Sequence, residues 1–215
     1  LHSNRVDYLP HLTTGYIGWI LISSLLAESS DIFCSSQAYI LQMNLPYSIY
    51  VMRSVFKSFV TFFHNLIPAL LVASWYGYQY TLLHPLLFLM GGCIIVLCGL
   101  FYGVALATIG AKVRDLKPGV QSIIRVFFYM TPIMWMRDRF PEKYQFVVDW
   151  NPFYHLIELI RRPLLGESYT AENFLTGLGV VFLGFLFMLL TSVLSAQQPV
   201  ELEGKILADS LEYTF

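Results

Sequence analysis

Charged residues are scarce in this sequence, and three long stretches contain none at all. The 215 residues include 13 Lys and Arg and 14 Asp and Glu, whereas 56% of the chain is hydrophobic. No Lys, Arg, Asp or Glu occurs in residues 8–27, 58–111 or 173–200. Uncharged apolar stretches of this length exclude a soluble domain and predict a polytopic membrane protein.

Sequence motifs for catalysis and metal binding are also missing. The chain has no Gly-x-x-x-x-Gly-Lys-Ser/Thr phosphate loop and no Gly-x-Ser-x-Gly nucleophile elbow. Its three cysteines, Cys34, Cys93 and Cys98, lack metal or redox spacing, and His155-x-x-Glu158 lacks the second histidine of a zinc helix. The net charge of −1 does not indicate a nucleic-acid partner. We therefore expect no metal site and no cofactor held by this chain.

Five segments are apolar and long enough to be predicted as membrane spans. The fourth is the shortest and is interrupted at Thr131-Pro132, and its length of roughly 25 Å barely crosses a bilayer. Residues 111–119 form the most basic short loop, so the positive-inside rule places them in the cytoplasm and residues 137–170 outside. Residues 1–196 are predicted to form one transmembrane domain, with an acidic tail at 197–215. The spans cover about 11–27, 48–75, 83–109, 120–136 and 173–196.

The segment 151–167 lies between the last two predicted spans and is too short to be a span itself. Asn151 can cap a helix, Pro152 suits the first helical position, and Pro163 would end the helix. Apolar residues fall on one face and polar residues mostly elsewhere. Since about ten residues reach roughly 15 Å, half of a hydrocarbon core, we expect a helix that lies on the membrane surface or re-enters it. The alternative is a surface helix that merely packs against the bundle.

Three polar residues of this segment allow a catalytic hypothesis. His155, Glu158 and Arg161 could act on an extracytoplasmic lipid-linked substrate, as in a polytopic membrane enzyme. The alternative is that His155 and Glu158, one helical turn apart, form a surface hydrogen bond. His64 and Asn65, within the second span, either line a water-filled path or make a hydrogen bond between helices.

Aromatic residues of the spans could contact sugar rings, and basic residues could contact an anionic group. Aromatic faces suit sugar rings, because axial C–H groups pack on π surfaces, although packing against lipid or core is the alternative. Basic residues near the predicted cytoplasmic face could hold an anionic headgroup or a pyrophosphate, or could simply reflect the positive-inside rule. The channel candidates are Tyr16, Trp19, Phe56, Phe59, Phe63, His64, Asn65, Tyr102, Phe127, Phe128 and Tyr129, and the headgroup candidates are Arg53, Lys57, Arg114 and Arg125.

Residues 151–166 read Asn-Pro-Phe-Tyr-His-Leu-Ile-Glu-Leu-Ile-Arg-Arg-Pro-Leu-Leu-Gly. This stretch resembles a signature of the type-2 ABC exporter permeases for O-antigen polysaccharides, the Wzm-like family. The resemblance runs from about residue 8 to residue 196. Two features depart from the family: its amphipathic N-terminal helix and first span have no counterpart, and the tail differs from its short basic end. Support comes from Tyr8-Leu9-Pro10, Leu45-Pro46 before Tyr50-Val51-Met52-Arg53, Phe63-His64-Asn65-Leu66, Val113-Arg114-Asp115 and Phe128-Tyr129-Met130-Thr131-Pro132-Ile133.

The resemblance implies an all-α polytopic fold with six spans in the family, five of them in this chain, plus a re-entrant periplasmic helix pair over about 139–162. It implies a homodimer in the bacterial inner membrane that exports an undecaprenyl-diphosphate-linked polysaccharide. It also implies a separate cytoplasmic ATPase subunit of the Wzt type that binds ATP and Mg²⁺. This chain would then be a transport subunit surrounded by membrane lipids, and no enzyme.

The resemblance also implies roles for individual residues. The aromatic residues would line the polysaccharide channel, and a short helix at about 37–43 would be the coupling helix that docks into the ATPase. Its residues are Gln37, Tyr39, Ile40, Gln42 and Met43, and the periplasmic gate would contain Asn151, Pro152, Tyr154, His155, Glu158, Arg161 and Arg162. The alternatives are a capsule or teichoic-acid exporter, a small-molecule efflux permease, or the membrane enzyme.

Overall fold

Helices make up almost all of the chain that the computed structural model describes, which is residues 8–43, 45–113, 115–137 and 141–196. Arg114 and the predicted tail at 197–215 lie outside these residues. In chain order the described helices are α1 (Tyr8–Ser29), α2 (Ile32–Ser35), α3 (Gln37–Gln42), α4 (Tyr47–Trp75), α5 (Leu83–Gly110), α6 (Leu116–Met130), α7 (Glu142–Asp149), α8 (Pro152–Leu164) and α9 (Ala171–Ala196).

Four of the described helices, α1, α4, α5 and α9, are long and apolar enough to cross a membrane. They match the first, second, third and fifth predicted spans. Large apolar side chains on them are exposed, including Leu71 on α4 and Leu183 on α9. Because soluble proteins rarely expose so much contiguous apolar surface, these faces fit a lipid environment.

The fourth predicted span, at 120–136, differs in the structure. α6 has only 15 residues and ends at Met130, so it is shorter than a span requires. Thr131 after it has an extended backbone, with φ −90° and ψ 136°. The physical reason is Pro132, which disfavours a helical conformation for the residue before it and lacks an N–H for the helix. The structure therefore does not confirm a fifth continuous span.

The two predicted short helices are present. α3 covers almost all of the predicted 37–43 helix. Asn151 caps α8 as predicted, since its side-chain oxygen accepts a hydrogen bond from the Phe153 N–H at 3.0 Å. α8 continues one residue past Pro163, and Gly166, with φ +72°, follows in the left-handed conformation.

α8 lies in the core of the bundle, where it packs against α1, α5 and α9. Every residue from 155 to 161 is buried. α5 approaches so closely at Gly91 that a Cβ there would lie 2.5 Å from the Leu159 carbonyl oxygen. The alternative of a surface helix is therefore wrong, because polar residues of α8, namely His155, Glu158 and Arg161, are buried as well as its apolar residues.

Candidate functional site

Glu158 is the centre of a buried charge cluster on α8. Its Oε1 accepts a hydrogen bond from Arg161 Nη1 at 2.6 Å, and its Oε2 accepts one from Arg162 Nε at 2.9 Å. Glu158 is 5% exposed and Arg161 2%, whereas the Arg162 side chain is 30% exposed. The spacing of three and four residues puts all three on one helical face. Because an unpaired charge in the interior is very costly, the arginines are what allow a carboxylate here.

Arg161 also connects α8 to two other segments. Its Nη2 donates a hydrogen bond to the Pro132 carbonyl oxygen at 2.7 Å, in the segment that follows α6. The same guanidinium lies against α1 at Gly15, where an added Cβ would overlap with Arg161 Nη2. α1, α8 and the 131–133 segment therefore meet at one side chain.

An amide and an imidazole extend the cluster along α8. Asn151 Nδ2 donates to Thr131 Oγ1 at 2.8 Å. His155 Nδ1 lies 2.8 Å from Asn173 Oδ1 on α9, and its Nε2 lies 2.8 Å from the Asp149 carbonyl oxygen. The suggested surface hydrogen bond between His155 and Glu158 is therefore wrong: both side chains are buried, and each has other partners.

Tyr154 and Arg137 complete the surroundings of the cluster. Burial, and after it the Glu158 carboxylate, raises the pKa of Tyr154 to about 12, so the phenol stays neutral at physiological pH. Arg137 makes two hydrogen bonds to Asp149, at 2.8 and 2.9 Å. These partly exposed contacts join the end of α7 to the segment that follows α6.

The arrangement holds segments together and leaves little scope for bond chemistry. Both oxygens of Glu158 and both ring nitrogens of His155 have protein partners, and both side chains are buried. A general base must reach the proton that it removes, and in this arrangement the protein partners of both groups occupy those positions. Within the described part of the chain, no group of His, Cys, Asp and Glu side chains could hold a metal ion.

A second polar site lies at the opposite end of α1, around a cavity of about 400 Å³. Two ion pairs cross it: Lys57 to Glu28 at 3.0 Å and Lys117 to Asp31 at 2.7 Å. Arg53 also lines the cavity, and its Cζ lies 5.6 Å from the centre of the Tyr39 ring on α3. Two of the predicted headgroup residues, Arg53 and Lys57, therefore meet in one cavity.

The other two headgroup candidates do not join them. Arg125 lies on the exposed face of α6 and donates from Nε to the Gln121 carbonyl oxygen at 3.3 Å. Arg114 lies outside the described residues. Lys117 takes their place in the cavity, a residue that sequence reasoning did not single out.

The predicted channel residues differ in exposure. Trp19 is buried, with its ring centre 5.6 Å from that of Phe128 and 5.7 Å from that of Phe153. Asn65 donates to the Thr61 carbonyl oxygen of its own helix at 2.9 Å. For all of the predicted channel residues, a role in lining a channel stays a prediction. Tyr16, Phe56, Phe63, His64 and Tyr129 are exposed, and Phe59, Asn65, Tyr102, Phe127 and Phe128 are half-buried.

Sequence reasoning missed the groups that hold α8 in place. Gly15 was not among the candidate residues, because neither a single glycine in a span nor the carbonyl oxygen of Pro132 gives a signal in a sequence. Asn173, a polar residue at the start of an apolar span, was the one signal that could have been used. The residues predicted for the coupling helix lie on or directly after α3, with Tyr39, Gln42 and Met43 exposed and Gln37 and Ile40 half-buried, and their coupling role stays a prediction.

Comparisons with known proteins cover most of this architecture. The family model described as ABC-2 type transporter matches residues 5–165, which include α8 and both polar sites except Asn173. Two relatives from Klebsiella pneumoniae, both named O-antigen export system permease protein RfbA, are 25% identical over 187 residues and 26% identical over 188 residues. Each alignment covers 83% of this chain and 70% of the relative. The chain therefore belongs to the ABC-2 type transporter family of membrane permeases.

Proposed function

We propose that this chain is the permease subunit of an ABC transporter that exports a lipid-linked, O-antigen-type polysaccharide across the bacterial inner membrane. The observation that carries the proposal is the family match over residues 5–165, together with relatives named O-antigen export permeases. The family implies a partner ATPase subunit. In our proposal this partner is a cytoplasmic subunit of the Wzt type that binds ATP and Mg²⁺, two copies of this chain form the path, and the substrate is linked to undecaprenyl diphosphate.

We propose that α6 and residues 131–137 together form the fourth predicted span as an interrupted helix, which brings the number of spans to five. We also propose that α7 and α8 are the re-entrant pair. α6 alone reaches about 22 Å, short of a hydrocarbon core of about 30 Å. Irregular backbone is tolerated at membrane depth only where protein or a water-filled cavity surrounds it. Thr131, Pro132 and Ile133 are all fully buried, which supports this placement.

The buried cluster supports the proposed role of α8 as the periplasmic gate. Its hydrogen bonds connect α8 with α9 and with the segment after α6, and Arg161 packs against α1 at Gly15. A gate must be well defined when closed, and buried charged contacts fix one arrangement of segments. The proposed gate residues are Asn151, Pro152, Tyr154, His155, Glu158, Arg161 and Arg162.

At the other end, the proposal assigns α3 as the coupling helix. α3 has exposed side chains that an ATPase subunit could contact, and Tyr39 touches Arg53 of α4. A push on α3 would therefore reach α4 directly. Arg53 and Lys57, with Lys117, would receive the anionic headgroup in the cavity, because guanidinium and ammonium groups bind phosphate oxygens strongly. The exposed aromatic residues would line the route of the sugar chain.

The test is reconstitution with the partner. The chain is co-expressed with candidate ATPase subunits from the same genome, purified, and inserted into vesicles with lipid-linked polysaccharide on one side. The proposal expects a stable complex, ATP hydrolysis stimulated by the substrate, and movement of the polymer across the membrane. A control ATPase without its phosphate-loop lysine should support none of the movement. A chain that purifies alone and transforms a lipid-linked substrate without ATP would refute the proposal.

The rival substrates are distinguished in cells. If the chain exports O-antigen, its depletion should cause O-antigen linked to its lipid to accumulate inside the cell. Accumulation of capsule or teichoic-acid precursors would point to those polymers, and accumulation of none would favour small-molecule efflux. The enzyme alternative has less support, because His155 and Glu158 are enclosed and bonded to protein groups.

A further inference from the structure

We propose that Gly15 is a positioning residue of the periplasmic gate. Because glycine has no side chain, the Arg161 guanidinium can pack directly against α1 at Gly15, and we call this contact the seat. The seat makes α1, the 131–133 segment and α8 move as one body. The seat follows from the geometry of the described residues, whereas its role in gating rests on the proposed function.

The space at Gly15 is filled by one group. The three heavy atoms nearest to an added Cβ are Arg161 Nη2, Cζ and Nε, with Cζ and Nε both at 3.0 Å. On its other side the guanidinium is held by Glu158 Oε1 at 2.6 Å and by the Pro132 carbonyl oxygen at 2.7 Å. The guanidinium therefore cannot withdraw from a new methyl group without losing a buried hydrogen bond, and at 2% exposure no water replaces it.

Glycine at this position needs a packing reason. In a helix interior glycine is less favourable than alanine, because it gains more backbone freedom on unfolding. Gly18, one turn further along α1, faces the same helix, α8. An added Cβ at Gly18 would lie 3.7 Å from its nearest neighbour, Ile157 Cγ2, which is ordinary contact. Only Gly15 of this pair lies where alanine would displace a charged group.

The seat limits how the gate can open. Separating α1 from α8 at this point would remove the close packing of the Arg161 guanidinium against Gly15. A hydrogen bond joins α1 to the segment after α6, because the Tyr8 hydroxyl donates to the Met134 carbonyl oxygen at 2.8 Å. Opening is therefore expected to leave this contact intact and to occur where other segments meet.

The seat itself is tested by thermal unfolding of the full chain in detergent. The variants are Gly15→Ala, the matched control Gly18→Ala, Arg161→Lys, and the double variant of Gly15→Ala with Arg161→Lys. Lysine keeps the charge beside Glu158 but has no Nη2 atom to meet the methyl group. We expect Gly15→Ala to lower Tm by about 5 °C or more and Gly18→Ala to leave it unchanged or raise it. In the Arg161→Lys background, Gly15→Ala should lower Tm by at most half as much as it does in the wild-type chain, since the effects of substitutions at two residues in contact do not add.

The gating role is tested with the same variants in the reconstituted transporter. Gly15→Ala should lower the polymer exported per ATP hydrolysed by about fivefold, and adding Arg161→Lys should restore a large part of this ratio. A merely structural defect would reduce the amount of folded protein and leave the ratio unchanged, so an unchanged ratio overturns the positioning role. If Gly15→Ala and Gly18→Ala have the same Tm, the proposed packing of Arg161 against Gly15 is wrong. Absence of export by the wild-type complex overturns the proposed function instead, so the two failures are distinguishable.

Discussion

Replacing Glu158 by glutamine should destabilise the protein far more than replacing its exposed partner Arg162. Glu158 and Arg161 are both buried and share a hydrogen bond of 2.6 Å. Removing one member of a buried ion pair leaves the other charge uncompensated and costs about 3–5 kcal/mol. The Arg162 side chain is 30% exposed and glutamine at this position keeps an N–H donor for Glu158 Oε2, so the replacement should cost only about 0–1 kcal/mol.

The assay is thermal unfolding of the purified variants in one detergent. For a chain of this size, 1 kcal/mol shifts Tm by about 2–4 °C. Glu158→Gln should therefore lower Tm by about 6–20 °C, and the control Arg162→Gln by no more than about 4 °C. The added amide of glutamine would also face the Arg161 guanidinium, donor against donor, which acts in the same direction.

A double variant separates the charge from the packing. Adding Arg161→Met to Glu158→Gln should recover part of the lost stability, because replacing both members of a buried pair is often nearly neutral. If Glu158→Gln and Arg162→Gln lower Tm equally, the cluster behaves as a surface ion pair. That result would refute the reasoning from buried charge.

Three further predictions concern other parts of the molecule. Gly91→Ala should lower the free energy of unfolding by about 1–3 kcal/mol, because the new methyl group would press on the Leu159 carbonyl. Gly92→Ala should leave it unchanged, since no described heavy atom lies within 4 Å of an added Cβ there, and equal Tm values for the two variants would contradict this. Arg53→Gln should raise the substrate concentration for half-maximal ATPase stimulation about tenfold, and an unchanged concentration would exclude Arg53 from the headgroup site. Tyr129→Ala should slow export more than ATP hydrolysis, and an equal loss of both rates would indicate a folding defect instead of a role in the path.

Local features of the sequence predicted much of the fold. The absence of charge in long stretches predicted α1, α4, α5 and α9, because a bilayer requires a continuous apolar helix of sufficient length. Asn151 and Pro152 predicted the start of α8, since a cap acts on N–H groups only two or three residues away. Each of these features depends on neighbours in the chain, and for that reason it could be read without the structure.

The structure did not confirm the fourth predicted span as one continuous helix, and the reason was partly visible in the sequence. Thr131-Pro132 was recognised as an interruption, yet the apolar residues after it still suggested a continuous span. In the structure Ile133 and Met136 are buried, whereas Met134 is exposed, so the apolar character of Ile133 serves the core of the bundle. Hydropathy alone cannot distinguish a side chain that faces lipid from one that faces protein.

The sequence by itself determined that this is a polytopic membrane protein with a short amphipathic helix between its last spans, since composition and periodicity decide those properties. Only the tertiary structure decided that this helix is enclosed, that Arg161 rests on Gly15 and the Pro132 carbonyl, and that His155 pairs with Asn173. The physical reason is that burying a charge or polar group is costly unless most of its hydrogen-bonding atoms find partners. Here those partners come from segments far apart in the chain, and no local pattern specifies where they meet.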